Sequence, residues 1–552
     1  MKPFGSPLPC SEGVLRMATL PFFVWWNGCT MQYGRQIIWT DVPEITKENV
    51  IDVLNKAIKV HDANSNDIDT LIDYEAGEQI IQRVKTYRPD IDNVVVDNVA
   101  SEVTTFQLGF FWGNPATFVQ RAKSETDIPD EVNVVSMLNE QYDASGHRTK
   151  TQENARYIEI CGVGYTYIDL NTEWEEGDAY FTRDVLDPRT AFVVRSSYYP
   201  DHRPMLGVSF RVLRGEDGSN HKYYTCFSRE QRFEINNETG DLRHGERSGE
   251  MNPLHRIPIV EWIRGYDRMG VFERQMSEMD NLNLLISDIT NDVEQNTQML
   301  WVSTDIDLAT EEIENADGTT SVQVKKPQAG EWLQTYTSPD GKTPSVKPLV
   351  VDYDYEGMLN NISYRRGLIL QKCNVPQRND NSGGSTGIAM SDATGWSQAE
   401  AAASREEQII EGCMIEELKV VLAAIRECPS VESNNPLLLL KYSDAKPNFK
   451  RQKTYELTTK TNAIATLLSH GFALEDCVAT VPLFDDPSQV VTRSGEGVKK
   501  YQETIFQTES EAEGGEDEQE PDADKTMQDE SDQIANSPNV DGMEIKQDAI
   551  SE

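Results

Sequence analysis

The chain has 552 residues, too many for one hydrophobic core, so three or more structural units are expected. Its 92 acidic residues against 51 basic ones leave a formal charge of −41, which argues against a protein that grips nucleic acid by displacing counterions from phosphates. Eight cysteines form no Cys-x-x-Cys pair and seven histidines show no His-x-x-x-His or Glu-x-x-His spacing, so neither a metal nor a cofactor is proposed.

In chain order, residues 1–30 read as an N-terminal extension. Their apolar run Ala18–Trp26 is broken by Pro21 and is far shorter than the roughly 20 residues a membrane span requires. The protein is expected to start at Met31, with no membrane association. Residues 31–267 begin as helices: one opens at Thr46-Lys47-Glu48 and places Val50, Val53, Leu54 and Ile58 on one side, and Asn93 to Leu108 has a similar face. From Ala155 the period changes to that of strands. Gly162–Ile168 alternates, and strands are expected through Val194, Gly207–Leu213 and Tyr223–Phe227. Turns are expected at Glu176-Gly177-Asp178, Glu216-Asp217-Gly218 and Glu238-Thr239-Gly240-Asp241, and the unit closes at Ile257–Trp262.

Residues 268–302 form a long helix, Val271 to Leu300. Leu282, Leu285, Ile286, Ile289 and Val293 are its expected buried stripe, and Asp280, Ser287, Asn291, Glu294 and Gln298 its polar ridge. A strand-and-turn insert, 303–352, follows, with turns at Ala316-Asp317-Gly318 and Pro339-Asp340-Gly341. The chain returns as a helix over 353–376, where Tyr355, Met358, Leu359, Ile362 and Ile369 share one stripe and Asn361, Arg365 and Lys372 another face. Because the ends of the insert must meet, the two helices are expected to pack antiparallel. Residues 377–396 contain Asn379–Gly387, too polar and glycine-rich to build a core. Ser397-Gln398-Ala399-Glu400 reads as a capping box opening a helix to about Glu427 within segment 397–430. Segment 431–508 holds a strand at Asn448–Arg451, a helix at Tyr455–Ser469 closed by His470-Gly471, and a short helix near Ala473–Ala479. From 509 to 552, sixteen carboxylates against Lys525 and Lys546 predict a disordered acidic tail.

Five patterns in this order resemble the portal proteins of long-tailed double-stranded DNA bacteriophages. They are Asn93–Pro115 with its Gly-Asn-Pro ending; Leu186-Asp187-Pro188-Arg189 to Val194; Met279–Glu294 with Leu-x-Ser-Asp-x-x-Asn-Asp-x-Glu; Gly383-Gly384-Ser385-Thr386-Gly387-Ile388-Ala389-Met390; and Pro482–Pro487. The resemblance covers roughly residues 45 to 490. It implies a multidomain α+β portal fold, with a β-rich wing (31–267), helical stem (268–302 and 353–376), small β-containing clip (303–352), long wing helix (397–430) and helical crown (431–508). Residues 377–396 would be a channel loop, with Asn381, Ser382, Gly383, Gly384, Ser385, Thr386 and Gly387 facing DNA. Arg365, Arg366 and Lys372 would be stem cations near the channel or a subunit interface, and Lys325 and Lys326 would serve clip docking.

The family role implied is a homo-oligomeric, dodecameric ring at one capsid vertex, active in packaging and ejection. Its expected partners are the terminase large subunit, head-tail adaptor proteins, and scaffold and major capsid proteins. Double-stranded DNA would pass without sequence recognition, and an acidic wall keeps such contacts weak. Virion location, with assembly in the host cytoplasm, follows, and no enzyme activity is expected.

The glycine run lacks the lysine and preceding strand of a phosphate loop. Asp288, Thr290, Asp292 and Glu294 lack the glycine of a calcium loop and lie on a predicted helix. Two rival readings stand beside the portal. One is another virion structural protein, such as a minor capsid or tail component; the other is a metal-dependent nuclease drawing on the abundant carboxylates.

Overall fold

The computed structural model describes residues 33–81, 89–121, 134–198, 202–214, 218–238 and 240–297, four strands between 301 and 348, residues 354–377, 395–449, 451 and 457–472, and a few isolated positions beyond. The chain divides into two compact units, 1–452 and 453–552.

The first unit is a mixed α/β body. β1 (Ile38–Thr40) leads to α1 (Val50–Ala76), whose Val50, Val53, Leu54, Ile68, Leu71 and Tyr74 are buried. Gly77, at a φ of 98°, closes α1 in the left-handed conformation that lets carbonyls of its last turn find donors. α2 (Val99–Phe110) starts later than the expected helix at Asn93. Residues 93–98 are not helical, because much of their backbone is bonded sideways to another helix. β2 (Thr117–Gln120), α3 (Val134–Ala144) and α4 (His147–Cys161) follow. α4 runs beyond the expected change of period at Ala155, since Ala155, Ile158 and Cys161 all bury.

Gly162 ends α4 at a φ of 75°, where an added Cβ would lie 2.4 Å from the Arg268 carbonyl oxygen. Strands then dominate: β3 (Val163–Leu170), β4 (Phe181–Leu186), β5 (Ala191–Ser196), β6 (Pro204–Arg214), β7 (Asn220–Phe227), β8 (Gln231–Asn236), β9 (Arg243–His244), β10 (Glu250–Met251) and β11 (Ile259–Ile263). A seven-stranded sheet has the order β1-β5-β6-β7-β8-β10, with β9 also on β8, and a three-stranded sheet has the order β11-β3-β4. Pairing is antiparallel except for β1 on β5. The predicted turn glycines Gly177, Gly218 and Gly240 all have positive φ.

After a single 3-10 turn at Glu273–Gln275 comes α5 (Met276–Thr297). The insert contains β12 (Trp301–Thr304), β13 (Thr310–Glu314), β14 (Thr320–Val324) and β15 (Ser345–Pro348), and β12 pairs antiparallel with β15, Trp301 opposite Pro348. Thus the insert returns to the place it left. α6 (Tyr355–Lys372) and α7 (Trp396–Glu427) are the remaining α-helices among the described residues of this unit.

α7 does not begin at the expected capping box. Its N-cap is Gly395, at a φ of 89° with no side-chain cap, and Ser397 sits inside the first turn. Trp396 is drawn there by aromatic packing, its ring 6.0 Å from Phe106 and 5.7 Å from Phe110. The strand expected at 448–451 is β16 (Ala445–Asn448), three residues earlier, and it pairs with β2 in the first unit. The second unit contains α8 (Leu457–Ser469), followed by Gly471 at a φ of 81°. Residues 1–32, the acidic tail from 509 and most of Ala473–Ala479 lie outside the described residues.

Candidate functional site

α5 crosses two environments. In its first half Met276, Met279 and Leu282 join an apolar cluster with Tyr74, Val99, Val103 and Phe272. In its second half the buried positions are polar: Asn283, Ser287 and Asn291, spaced by four on one face. They meet the non-helical segment 93–97. The Asp97 amide donates to Asn283 Oδ1 at 2.8 Å, the Val95 amide to Ser287 Oγ at 2.9 Å, and the Asn93 amide to Asn291 Oδ1 at 2.7 Å. Asn291 Nδ2 returns a bond to the Asn93 carbonyl at 3.2 Å. Four helical residues rise about 6 Å and two extended residues about 6.6 Å, so the rungs stay in step.

This reverses the expected orientation of the helix. Of the stripe Leu282, Leu285, Ile286, Ile289 and Val293 only Leu282 is fully buried, and Val293 is 50 % exposed. Ser287 and Asn291, expected on the polar ridge opposite the buried stripe, are interior. The physical reason is that the amides of 93–97 have no adjacent strand, and buried backbone donors must be satisfied.

α6 lies antiparallel to α5. Glu278, near the start of α5, faces both Arg365 (3.5 Å) and Lys372 (4.0 Å), which lie late in α6. Ile369, Leu370 and Cys373 bury in the same cluster as Met279 and Leu282. Further up, toward the insert, cover is lost: Leu359 is 58 % and Tyr364 67 % exposed. By helical spacing Leu359 and Ile362 continue the face that Ile369 and Cys373 bury lower down. The helix pair therefore carries apolar surface that the described residues do not cover.

The three predicted stem cations all have carboxylate partners. Arg365 also donates to Asn361 at 3.1 Å, and Arg366 bridges Asp97 (3.0 Å) and Glu102, tying α6 to the start of α2. Asn381–Gly387 and the clip residues Lys325 and Lys326 lie outside the described residues.

The chain on either side of residues 378–394 is well fixed. Asn374 turns the chain at a φ of 57°, the Val375 amide bonds the Leu370 carbonyl at 2.9 Å, and Gln377 Nε2 bonds the Gly367 carbonyl at 2.7 Å. A Cβ added to Gly395 would lie 3.9 Å from Pro376 Cα. Departure and return are thus at one point.

A subunit that met its ring neighbours through Ser397–Glu427 would leave a long apolar flank open there, and α7 does not: Ile410, Met414, Leu418, Val421, Leu422 and Ile425 are buried within the chain. Two buried carboxylates also anchor it, a feature the sequence reading missed. Glu417 accepts from Arg183 Nε at 3.0 Å and from Thr166 at 2.8 Å, and Glu406 lies 3.1 Å from Arg264, which also bonds Glu159. A carboxylate breaking into an apolar face, as both do, is the signal that could have found them.

Asp280 is the charged group of this helix pair most strained by its surroundings. Burial raises its carboxyl to about 6, and the hydrogen bond from the Tyr74 hydroxyl, 2.8 Å, offsets only part of that. Asp288, Asp292 and Glu294 lie within α5, and among the described residues no group of three or more His, Cys, Asp or Glu side chains could hold a metal ion. Nor, among them, is any helix long and apolar enough to cross a membrane. A family model described as phage portal protein, SPP1 Gp6-like, matches residues 54–510, most of the chain. No curated protein matches it.

Proposed function

The chain belongs to the SPP1 Gp6-like family of phage portal proteins, and on that premise we propose that it forms a dodecameric ring at one capsid vertex, through which DNA is packaged and later ejected. In this reading α5 and α6 are the stem, the insert around β12–β15 is the clip that docks the terminase large subunit and then head-tail adaptors, and residues 378–394 form the channel loop. Scaffold and major capsid proteins meet the ring during assembly in the host cytoplasm. Its contribution to DNA movement is geometric.

One observation carries the reading. The α5/α6 pair presents Leu359 and Val293 to solvent toward the insert and Tyr364 midway along α6, and exposed apolar side chains of this kind call for neighbours. In a closed ring, identical copies supply them. The pairing of Arg365, Arg366 and Lys372 with carboxylates fits a wall that lets DNA slide, since free cations would hold phosphates.

Negative-stain images and mass photometry of the purified chain test this directly. Rings with a central hole are expected, and Leu359→Glu should reduce them to monomers with an unchanged circular dichroism spectrum. A wild-type chain that stays monomeric at micromolar concentration would sink the ring. Deleting Ser382–Thr386 should leave ring formation intact, because Pro376 and Gly395 already lie together, and should impair DNA packaging or retention. Loss of the ring on deletion would make the segment an assembly element, and no effect on either would remove it from the channel.

A further inference from the structure

Away from the helix pair, strands β5, β6 and β11, the turns at 228–230 and 255–257 and helix α7 enclose a cleft of about 740 Å³, within the size range of ligand sites. Its floor is apolar: Val193, Met205, Ile257, Val260 and Val420, all buried in the body. Its rim is cationic, with Arg203, Arg229 and Arg256 exposed beside His202 and His255. Five Lys and Arg line it against four Glu, in a chain where Lys and Arg number 51 and Asp and Glu 92.

Three of those four carboxylates face a basic side chain within the cleft wall. Glu261 lies 2.6 Å from Arg268 and 2.9 Å from Arg195, Glu416 2.6 Å from Lys419, and Glu230 3.2 Å from the His255 ring. The backbone adds a second mark. Four non-glycine residues among those described have positive φ, and two of them, His202 at 26° and His255 at 48°, stand on this rim. Such conformations cost free energy and gather at places that hold ligands. His202 is kept there by the Arg195 guanidinium on its carbonyl (3.4 Å) and by Trp39, ring to ring at 4.8 Å.

We propose that this cleft docks a short extended peptide segment of a protein partner, acidic and carrying one apolar anchor. The floor takes the anchor, and the rim arginines donate to the peptide's carboxylates in charge-assisted pairs. Nucleic acid fits less well. A duplex is too broad to enter, and among the described residues no Phe, Tyr or Trp lines the cleft to stack the bases of a single strand.

Fluorescence anisotropy of the purified full chain tests it with fluorescein-labelled decapeptides. One carries Leu-Phe flanked by Glu and Asp, a second has Gly-Gly for Leu-Phe, a third has Lys for every carboxylate, and a thymidine decamer is the nucleic-acid arm. The first should bind best, weakening at least fivefold without the apolar pair, tenfold between 50 and 300 mM salt, and beyond detection with Lys. Arg229→Glu/Arg256→Glu should weaken it at least tenfold, whereas Arg211→Glu/Arg214→Glu, an equal charge change on the β6–β7 hairpin, should leave it unchanged. Equal binding of the decamer, equal loss in the hairpin variant, no binding by the first peptide, or no loss in the cleft variant would overturn the proposal. Should the cleft double variant misfold, Arg256→Gln is read the same way, with a threefold loss expected and none overturning it.

Discussion

The two halves of α5 are the same helix held in place by different physics. From Met276 to Leu282 the buried side chains are apolar and pack among α1, α2 and α6. From Asn283 to Asn291 they are polar and hold the segment 93–97 by hydrogen bonds. Apolar burial stabilises through area removed from water, about 25 cal/mol per Å², and water offers it no substitute. A hydrogen bond between polar groups exchanges with water at a net gain of about 1 kcal/mol. The first half is therefore the anchor, and the second, nearer the insert, opens at lower cost. A helix so held is fixed where it packs into the body and more compliant toward the insert.

The largest effect expected is at the anchor. Leu282→Ala removes a fully buried side chain and should cost about 3 kcal/mol, within the range for such cavities. Urea unfolding of the full chain measures it, and a loss below about 1 kcal/mol would mean that the first half is not the anchor.

Asp280 sharpens the same contrast through pH. Its folded carboxyl, at about 6, lies above the ordinary aspartate value of 3.8, so the folded state binds the proton more tightly. Its contribution to stability is then full below pH 3.8 and is lost as pH rises through 6. Asp280→Asn keeps an acceptor for the Tyr74 hydroxyl without the charge. It should stabilise the chain at pH 7.5 by about 2 kcal/mol, after allowing for partial exposure, and hardly at all at pH 4. A wild-type-to-variant difference equal at both values would show that the carboxyl is not raised.

At the polar rungs a smaller and more local effect is expected. Ser287→Ala leaves the Val95 amide without its acceptor, at a cost of about 1 kcal/mol, and should speed hydrogen exchange at Val95 and Asp97 while Met279 and Leu282 keep their protection. Global destabilisation with uniform exchange would break the division into two halves. Smallest of all, Lys372→Ala removes a half-exposed pair at 4.0 Å and should change stability by less than about 0.5 kcal/mol.

These contrasts mark what the sequence discloses. The existence of both helices, their antiparallel return and the turns at Gly177, Gly218 and Gly240 were legible, because periodicity and turn glycines are local signals. Which face of α5 is interior was not. Ser287 and Asn291 read as part of a polar ridge, and nothing marks Asn283, until their partner is known, and that partner lies nearly two hundred residues earlier. The same distance hides Glu417, whose guanidinium partner Arg183 sits on β4. The cap of α7 misled for a different reason: Ser397 satisfies a local rule, but Trp396 packing on Phe106 and Phe110 sets where the helix starts. Ion pairing of Arg365 and Lys372 required knowing that both reach Glu278.

The meeting of Pro376 and Gly395 has a consequence for how this family can vary. An excursion that leaves and rejoins the frame at a single foothold sets no distance for the frame to span. Its chain-closure entropy grows only with the logarithm of length, so doubling the number of residues costs about 0.6 kcal/mol. The length of the segment between them is then a nearly free variable, adjustable by insertion or deletion while α6 and α7 keep their places.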